Sequence, residues 1–190
     1  MLNKAERDVT GSVELLLHTP SVLARFENVG VVRTLDALAM GLVGVAGRAC
    51  GLAADARHDF AVGPYRDMEL MPAIFPGGDV DARVRVRWAE MLASLALVRR
   101  FLGQETGGAL SVPLPALRPE SLAVGIIEGW RGPVLHTAIT GPNGRFSRYK
   151  VVDPSFHNWF GLMLAMRGEQ ISDFPICNKS FNLSYCGVDL

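Results

Sequence analysis

Hydrophobic residues recur at steps of three or four along "DARVRVRWAEMLASLALVRRFLGQ", from Asp81 to Gln104. Val84, Trp88, Met91, Leu95, Val98 and Leu102 form the stripe, and Arg83, Arg87, Glu90 and Ser94 fall between them. This period predicts an amphipathic helix that ends near Gly103. Upstream, "NKAERDVTGSVELLLHTPSVLARFENVG" reads as a helix, a break and a short helix. Thr19 is placed to cap the second helix, with Pro20 at its first position. Thr34 is placed to cap a helix from Leu35 to Leu42. The residues from there to "FPGGDVDARV" read as loop, with Gly63-Pro64 and Pro76-Gly77-Gly78 as punctuation.

The pattern changes after the proline-rich connector "VPLPALRPE". "LAVGIIEGW", "PVLHTAIT" and "RFSRYKVVD" have the length and composition of short strands. Gly141-Pro142-Asn143-Gly144 joins the last two as a hairpin turn. "NWFGLMLAMRGE" reads as a short helix, and the half-apolar tail "DFPICNKSFNLSYCGVDL" as a segment packed back onto the body. The predicted class is α+β, mainly helical, with a small antiparallel sheet in the C-terminal half. No repeat divides residues 1–190, which read as a single domain.

Composition narrows the function classes. The 190 residues are 49% hydrophobic, enough to bury a core without disulfide staples. Nineteen basic and nineteen acidic side chains cancel, so no net field recruits nucleic acid or an acidic membrane. The apolar run from Ala37 to Gly47 is too short and glycine-rich to span a bilayer, and no signal peptide opens the chain. Cys50, Cys177 and Cys186 are odd in number and lack framework spacing, which favours free thiols in a reducing compartment. These features predict a soluble, cytoplasmic protein.

Candidate chemistry is sparse. No two cysteines stand at the spacing of a zinc or iron–sulfur site, and His136 and His157 read as histidines satisfied by hydrogen bonds. Cys186 lacks the base of a thiol nucleophile and reads as a small apolar residue in the tail. In "EGWRGPV", glycines flank Trp130-Arg131. Arg131 there either holds an anion, a carboxylate or a neighbouring subunit, or sits in an ordinary exposed loop. In "DPSFHNW", Asp153 or Ser155 is placed to cap the helix that follows. "GPNGRF" is a turn, not a nucleotide cradle.

Several stretches in order resemble one family. "NVGVVRTLDALAMGLVGVAGRACGLAADARHDF" resembles the middle of the large catalytic subunit shared by respiratory complex I, the NADH-quinone oxidoreductase, and the membrane-bound nickel–iron hydrogenases. The pattern GVGxxxxxxALxxGLxGPxxRAxGxxxDxRxxxPY is met at Gly30, Ala37, Leu38, Gly41, Gly44, Arg48, Ala49, Gly51, Asp55, Arg57, Pro64 and Tyr65. Val45 departs at the usual proline, and Ala61 to Gly63 lengthen the last step. "GDVxARxxVRxxEMxxSLxIV" is met at Gly78 to Val80, Ala82, Arg83, Arg87, Glu90, Met91, Ser94, Leu95 and Val98. "EGWRG" stands where the family has Glu-Ala-Pro-Arg-Gly, and "RYKVVDPSFHNWFGLMLAMRGEQISDFPI" resembles the strand and helix that follow.

Hydrogenases of the family end in Ser-Phe-Asp-Pro-Cys-x-x-Cys-x-x-His, whose two cysteines hold the nickel–iron centre. On that pattern Ser180 and Phe181 match, Asn182 and Leu183 take the Asp-Pro places, and Ser184 and Gly187 take the cysteine places. Cys186 falls one position short and Leu190 replaces the histidine, while Val188-Asp189 match the complex I ending. The tail therefore resembles an emptied metal site, with no metal held by this chain. The family's N-terminal part, with its other cysteine pair or its quinone-side histidine and tyrosine, is not matched, so the resemblance implies a fragment or a shortened homologue.

The resemblance implies a quinone-side large subunit in a membrane-associated oxidoreductase complex of the NADH dehydrogenase or hydrogenase type. Electrons would pass from the iron–sulfur cluster of a small partner subunit to quinone or a related acceptor. The cofactor would thus be the partner's. Membrane-arm subunits would be further partners, and the subunit would be cytoplasmic, peripheral to the inner membrane. Arg131 would face the old active-site cavity, with Glu128, Asp153, His157, Ser184 and Cys186 lining it. Asp153 and His157 would move protons if they meet there. A non-catalytic scaffold in a hydrogenase-related complex is the alternative. The isolated chain is expected to be inactive and, through exposed apolar surface, to self-associate.

Overall fold

In a computed structural model the described residues are 1–104, 107–109 and 111–189, with side chains for all of these but Val188 and Asp189. The long helix, α6, runs from Val80 to Leu102. Asp79 starts it: Oδ1 accepts the Ala82 N–H at 2.8 Å and Oδ2 the Asn28 N–H at 2.8 Å. Asp81 in the first turn and Arg99 and Arg100 in the last suit the helix dipole. The apolar stripe is only partly inward: Val84 packs on the main core and Trp88, Met91 and Leu95 are half-buried. Val80, Ala82, Arg83 and Val86 are buried, whereas Val98 is 41% and Leu102 74% exposed. The N-terminal half of α6 crosses the core, while its C-terminal half runs out beside the first helix, where Arg99 pairs with Glu6.

That first helix, α1, spans Leu2–Leu17, and α2 spans Pro20–Leu23. Both follow the predicted break, with one correction. The Thr19 hydroxyl does not cap α2 but donates back to the Leu15 carbonyl at 2.6 Å, closing α1. Thr34 is likewise the first residue of α3, Thr34–Ala39, rather than its cap. That helix stops short of Leu42 as Gly41 turns to φ +66°. Two further helices, α4 (Gly44–Arg48) and α5 (Ala56–Asp59), occupy chain read as loop. All five residues of α4 are buried, so it carries no alternation between faces.

The sheet is an antiparallel meander in the order β1-β2-β3, with β1 Leu122–Gly129, β2 Gly132–Thr140 and β3 Phe146–Val152. The 141–144 turn joins β2 to β3, with a register shift at Ile139/Thr140. Helix α7, Ser155–Ala165, starts three residues before the predicted Asn158, where Asp153 Oδ1 accepts the Ser155 N–H at 2.7 Å. Helix α8, Phe174–Phe181, ends at Asn182, whose φ is +54°. The tail does pack back. Cys177, Phe181 and Leu183 join Leu42, Cys50, Val80 and Leu162 in the main core. Cys186 is exposed, contrary to the packed residue expected, because Gly187 takes the inner place in the last turn. No helix among the described residues is long and apolar enough to cross a membrane.

Candidate functional site

Two polar neighbourhoods flank the arginine face of α6. The first gathers most of the predicted site residues around the tail. Arg131, in the β1–β2 turn, donates from Nε to the Asn182 carbonyl. Its own carbonyl accepts from Asn158 Nδ2 at 3.4 Å, and Asn158 is also tied both ways to the Val43 backbone. The turn lies so close to α4 that a Cβ at Gly44 would come within 2.3 Å of the Arg131 carbonyl oxygen. Gly44, at φ +60°, is glycine for that reason.

The tail itself is pinned to the start of α7. Ser184 N–H donates to Ser155 Oγ at 2.9 Å, and Ser184 Oγ accepts the Gly187 N–H at 3.0 Å, with Cys186 Sγ 3.8 Å away. Gly187 abuts Asp153, since a Cβ built on it would fall 2.6 Å from Asp153 Cγ. Arg131, Asp153, Ser184, Cys186 and Gly187 thus belong to one network. His157 does not join it. It is half-buried against Phe156, and no side-chain hydrogen bond links it to Asp153 among the described residues. His136 is exposed on the sheet, where Nδ1 lies 2.8 Å from Tyr149 Oη. Leu190, at the histidine place, lies outside the described residues, as do the Val188 and Asp189 side chains.

Two arginines from α6 hold this tail from beneath. Arg83 is 1% exposed and donates to Ser180 Oγ (2.8 Å), Gly78 O (2.7 Å) and Gly30 O (3.0 Å), while stacking 4.3 Å over the Phe181 ring. Burial pulls its pKa down to about 10, against the raising pull of Cys177, Cys50 and Asp79. One turn on, Arg87 donates to Ser180 O and Phe181 O at 3.0 and 2.8 Å and faces Trp130. Burial brings it to about 10 as well.

Glu128 belongs elsewhere, to a second and more deeply buried neighbourhood. Arg48 Nε donates to Glu90 Oε1 at 2.6 Å, and Nη1 donates to Ala54 O at 2.8 Å. Nη1 also stands 2.9 Å from Glu128 Oε1 and 3.5 Å from Asp55 Oδ2. The first of those contacts is close in charge but not aligned as a hydrogen bond, and among the described residues neither Oε1 nor Arg48 Nη2 has a hydrogen-bond partner. Glu128 Oε2 accepts the Ala56 N–H at 3.0 Å, and Arg57 grips Asp55 with two N–H donors. Burial raises the pKa of Glu128, only partly offset by Arg48 and the Ala56 N–H. For Asp55 burial pushes upward too, but the Arg57 donors and the Arg48 charge outweigh it and hold the group below its usual range. A cleft of about 280 Å³ between α6 and the β1–β2 turn opens onto this cluster, lined by Arg57, Glu90, Ser94, Glu128 and Trp130.

Residue reasoning alone missed Arg48, Arg83, Arg87 and Glu90 as interior groups. The available signal was spacing: Arg83, Arg87 and Glu90 fall at steps of four and three, on one helical face.

The tail residues can be tested against a nickel–iron centre. Ser184 offers a hard oxygen and Gly187 no side chain, where bridging thiolates are needed. A cysteine at Gly187 would also collide with Asp153. These residues do not fit the group.

A family profile described as the respiratory-chain NADH dehydrogenase 49 kDa subunit matches residues 1–120. The chain belongs to that family. It is 32% identical over 183 residues to the carbon monoxide-induced hydrogenase of Rhodospirillum rubrum, covering 95% of this chain and 50% of that one. It is 30% identical over 184 residues to an NADH-quinone oxidoreductase subunit of Herpetosiphon aurantiacus, covering 92% and 49%. It is 29% identical over 197 residues to the membrane-bound hydrogenase subunit alpha of Pyrococcus furiosus, covering 94% and 46%. The chain thus spans half or less of the length of these relatives. Among solved structures, a chain of the membrane-bound sulfane sulfur reductase, an archaeal respiratory membrane complex, superposes with a TM-score of 0.88 at 22% identity. That superposition covers all of this chain and 53% of the other, and it agrees with the predicted α+β, hydrogenase-like fold.

Proposed function

We propose that this chain forms the cavity-side, C-terminal part of the large subunit of a membrane-bound oxidoreductase complex that holds no nickel–iron centre. A small iron–sulfur partner delivers electrons, and quinone or a related acceptor takes them. The observation that carries this reading is the contact of Arg131 with the Asn182 carbonyl, in the tail whose Gly187 abuts Asp153. Among the described residues only Nε of that guanidinium is engaged. The two remaining nitrogens offer fixed positive charge to an acceptor that turns anionic on reduction. In this reading Asp153, which packs against Gly187 of the tail, exchanges a proton with the reduced acceptor.

The test uses the intact complex carrying Arg131→Met or Arg131→Lys. The expected result is that Met lowers quinone turnover at least ten-fold, that Lys restores part of it, and that elemental analysis finds no stoichiometric nickel. Unchanged turnover in Arg131→Met would leave the chain a scaffold. Stoichiometric nickel on the large subunit would overturn the proposal.

A further inference from the structure

The turn between β1 and β2 is two residues long, Trp130 and Arg131, with glycine at 129 and 132 on either side. Its backbone is seated on α4, where Gly132 meets Gly44, and the Arg131 carbonyl accepts from Asn158. Those contacts place the turn but leave the direction of the Arg131 side chain open. Trp130 is 54% exposed, so the core gains little from its ring. It also stands where the family motif reads proline, which has no aromatic face to offer.

The ring has a specific partner. Arg87 Cζ lies 5.1 Å from its centroid, within cation–π range. Arg87 Nη1 is buried and has no hydrogen-bond partner among the described residues, so the π face offers that guanidinium an attraction its hydrogen bonds do not complete. Through Nη2, Arg87 holds the carbonyls of Ser180 and Phe181, and Arg131 Nε holds the next one, that of Asn182. Two guanidiniums thus share three consecutive carbonyls at the C-terminal end of α8, where the helix itself supplies no further N–H. They are like charges: burial, with Arg83, Arg131 and Arg48, holds the Arg87 pKa low. Trp130 adjoins one of them in sequence and stacks on the other.

We infer that Trp130 is the positioning residue for Arg131: stacked on Arg87, it fixes the Arg131 guanidinium at the end of α8, with Nε on the Asn182 carbonyl and the other two nitrogens left for a ligand. That placement stands on the geometry alone, and its effect on turnover rests on the function proposed above. Removing the ring frees Arg131 to swing away from its like-charged neighbour, so the fixed positive charge is no longer held where an acceptor turns anionic.

Two measurements on Trp130→Ala and Trp130→Phe test this. In nitrogen-edited NMR of the full chain, the Arg131 Nε–H signal, identified by its loss in Arg131→Met, should be sharp and slow to exchange. Trp130→Phe keeps an aromatic face and should preserve that signal. Trp130→Ala should broaden or lose it, with circular dichroism unchanged. In the intact complex, Trp130→Ala should lower kcat about two- to five-fold, the range for an exposed cation–π contact, with KM unchanged. It should add nothing in an Arg131→Met background. A signal undisturbed in Trp130→Ala, or lost as fully in Trp130→Phe, overturns the inference and leaves the proposed function standing. So does a further loss of turnover when Trp130→Ala is added to Arg131→Met. Unchanged turnover in Arg131→Met, with the signal lost in Trp130→Ala, overturns the proposed function and upholds the positioning.

Discussion

Arg48 Nε stands 2.6 Å from Glu90 Oε1, and the arginine side chain is 1% exposed. Three carboxylates from three elements close on that one guanidinium, so its loss leaves Glu90, Glu128 and Asp55 without their shared counter-charge. Arg48→Ala should destabilise the fold by about 3–5 kcal/mol, the range for breaking a buried pair. The double variant Arg48→Met/Glu90→Leu should lose less than the sum of its single variants. Urea unfolding measures both, and additive losses would count against a coupled cluster.

Arg83 tests geometry rather than charge. Lysine keeps the positive charge but cannot reach Ser180, Gly78 and Gly30 with one planar fork. Arg83→Lys should therefore cost about 1.5–3 kcal/mol, the range for a lost charged hydrogen bond. Limited proteolysis should then cut first in α8 or the tail. Native-like resistance there would show that the fork is dispensable.

Restoring a thiol at the second ligand place should strain the fold. Gly187→Cys forces a Cβ toward Asp153 and should cost roughly 1–3 kcal/mol, as overpacking does. Asp153→Gly in the same chain should recover much of that loss. A cycle of the two substitutions reads the coupling directly, and independent effects would mean that the two residues do not share the space.

Glu128 and Asp55 respond to pH in opposite senses. The folded chain raises the Glu128 pKa, so it binds that proton more tightly than the unfolded chain. Its contribution is present at low pH and is lost as pH rises from the ordinary glutamate range through the raised value. Asp55 is held low, so its contribution is present above the unfolded aspartate range and is lost as pH falls through the lowered value. Glu128→Gln should flatten the loss on the rising side, and Asp55→Asn the loss on the acid side. Denaturant midpoints across a pH series check both signs.

Thiol reactivity should separate the cysteines. Cys186 is exposed, while Cys50 is buried and pushed up to about 11, chiefly by desolvation, and burial raises Cys177 too. One thiol should react with an alkylating reagent in the native chain, at Cys186, and the other two only after unfolding. Peptide mapping identifies the site.

The elements most legible in the sequence were those with an obvious period or turn. The length of α6, the three strands and the 141–144 hairpin follow from spacing and glycine placement. What escaped were elements too short or too buried to alternate, such as α4, and the facing of α6. Apolar spacing made Val84 to Leu102 one seam, yet Val98 and Leu102 are exposed and the core takes Arg83. Counting hydrophobic steps cannot foresee this, because an arginine enters an interior only when carbonyls from distant loops, here Gly30 and Gly78, wait to receive it. The tail network was legible for Arg131, Asp153, Ser184 and Gly187 through the family pattern. Glu128 was not, because its position three residues before Arg131 on a strand end carries it toward Arg48 instead.

The grip of α6 on the tail has a mechanical corollary. Ser180 and Phe181 give three acceptors to Arg83 and Arg87, so peeling away those two residues would strand two interior cations in a single motion. The last helix is then less an appendage than a keystone, and any partner that tugs on it loads the foundation of the whole molecule.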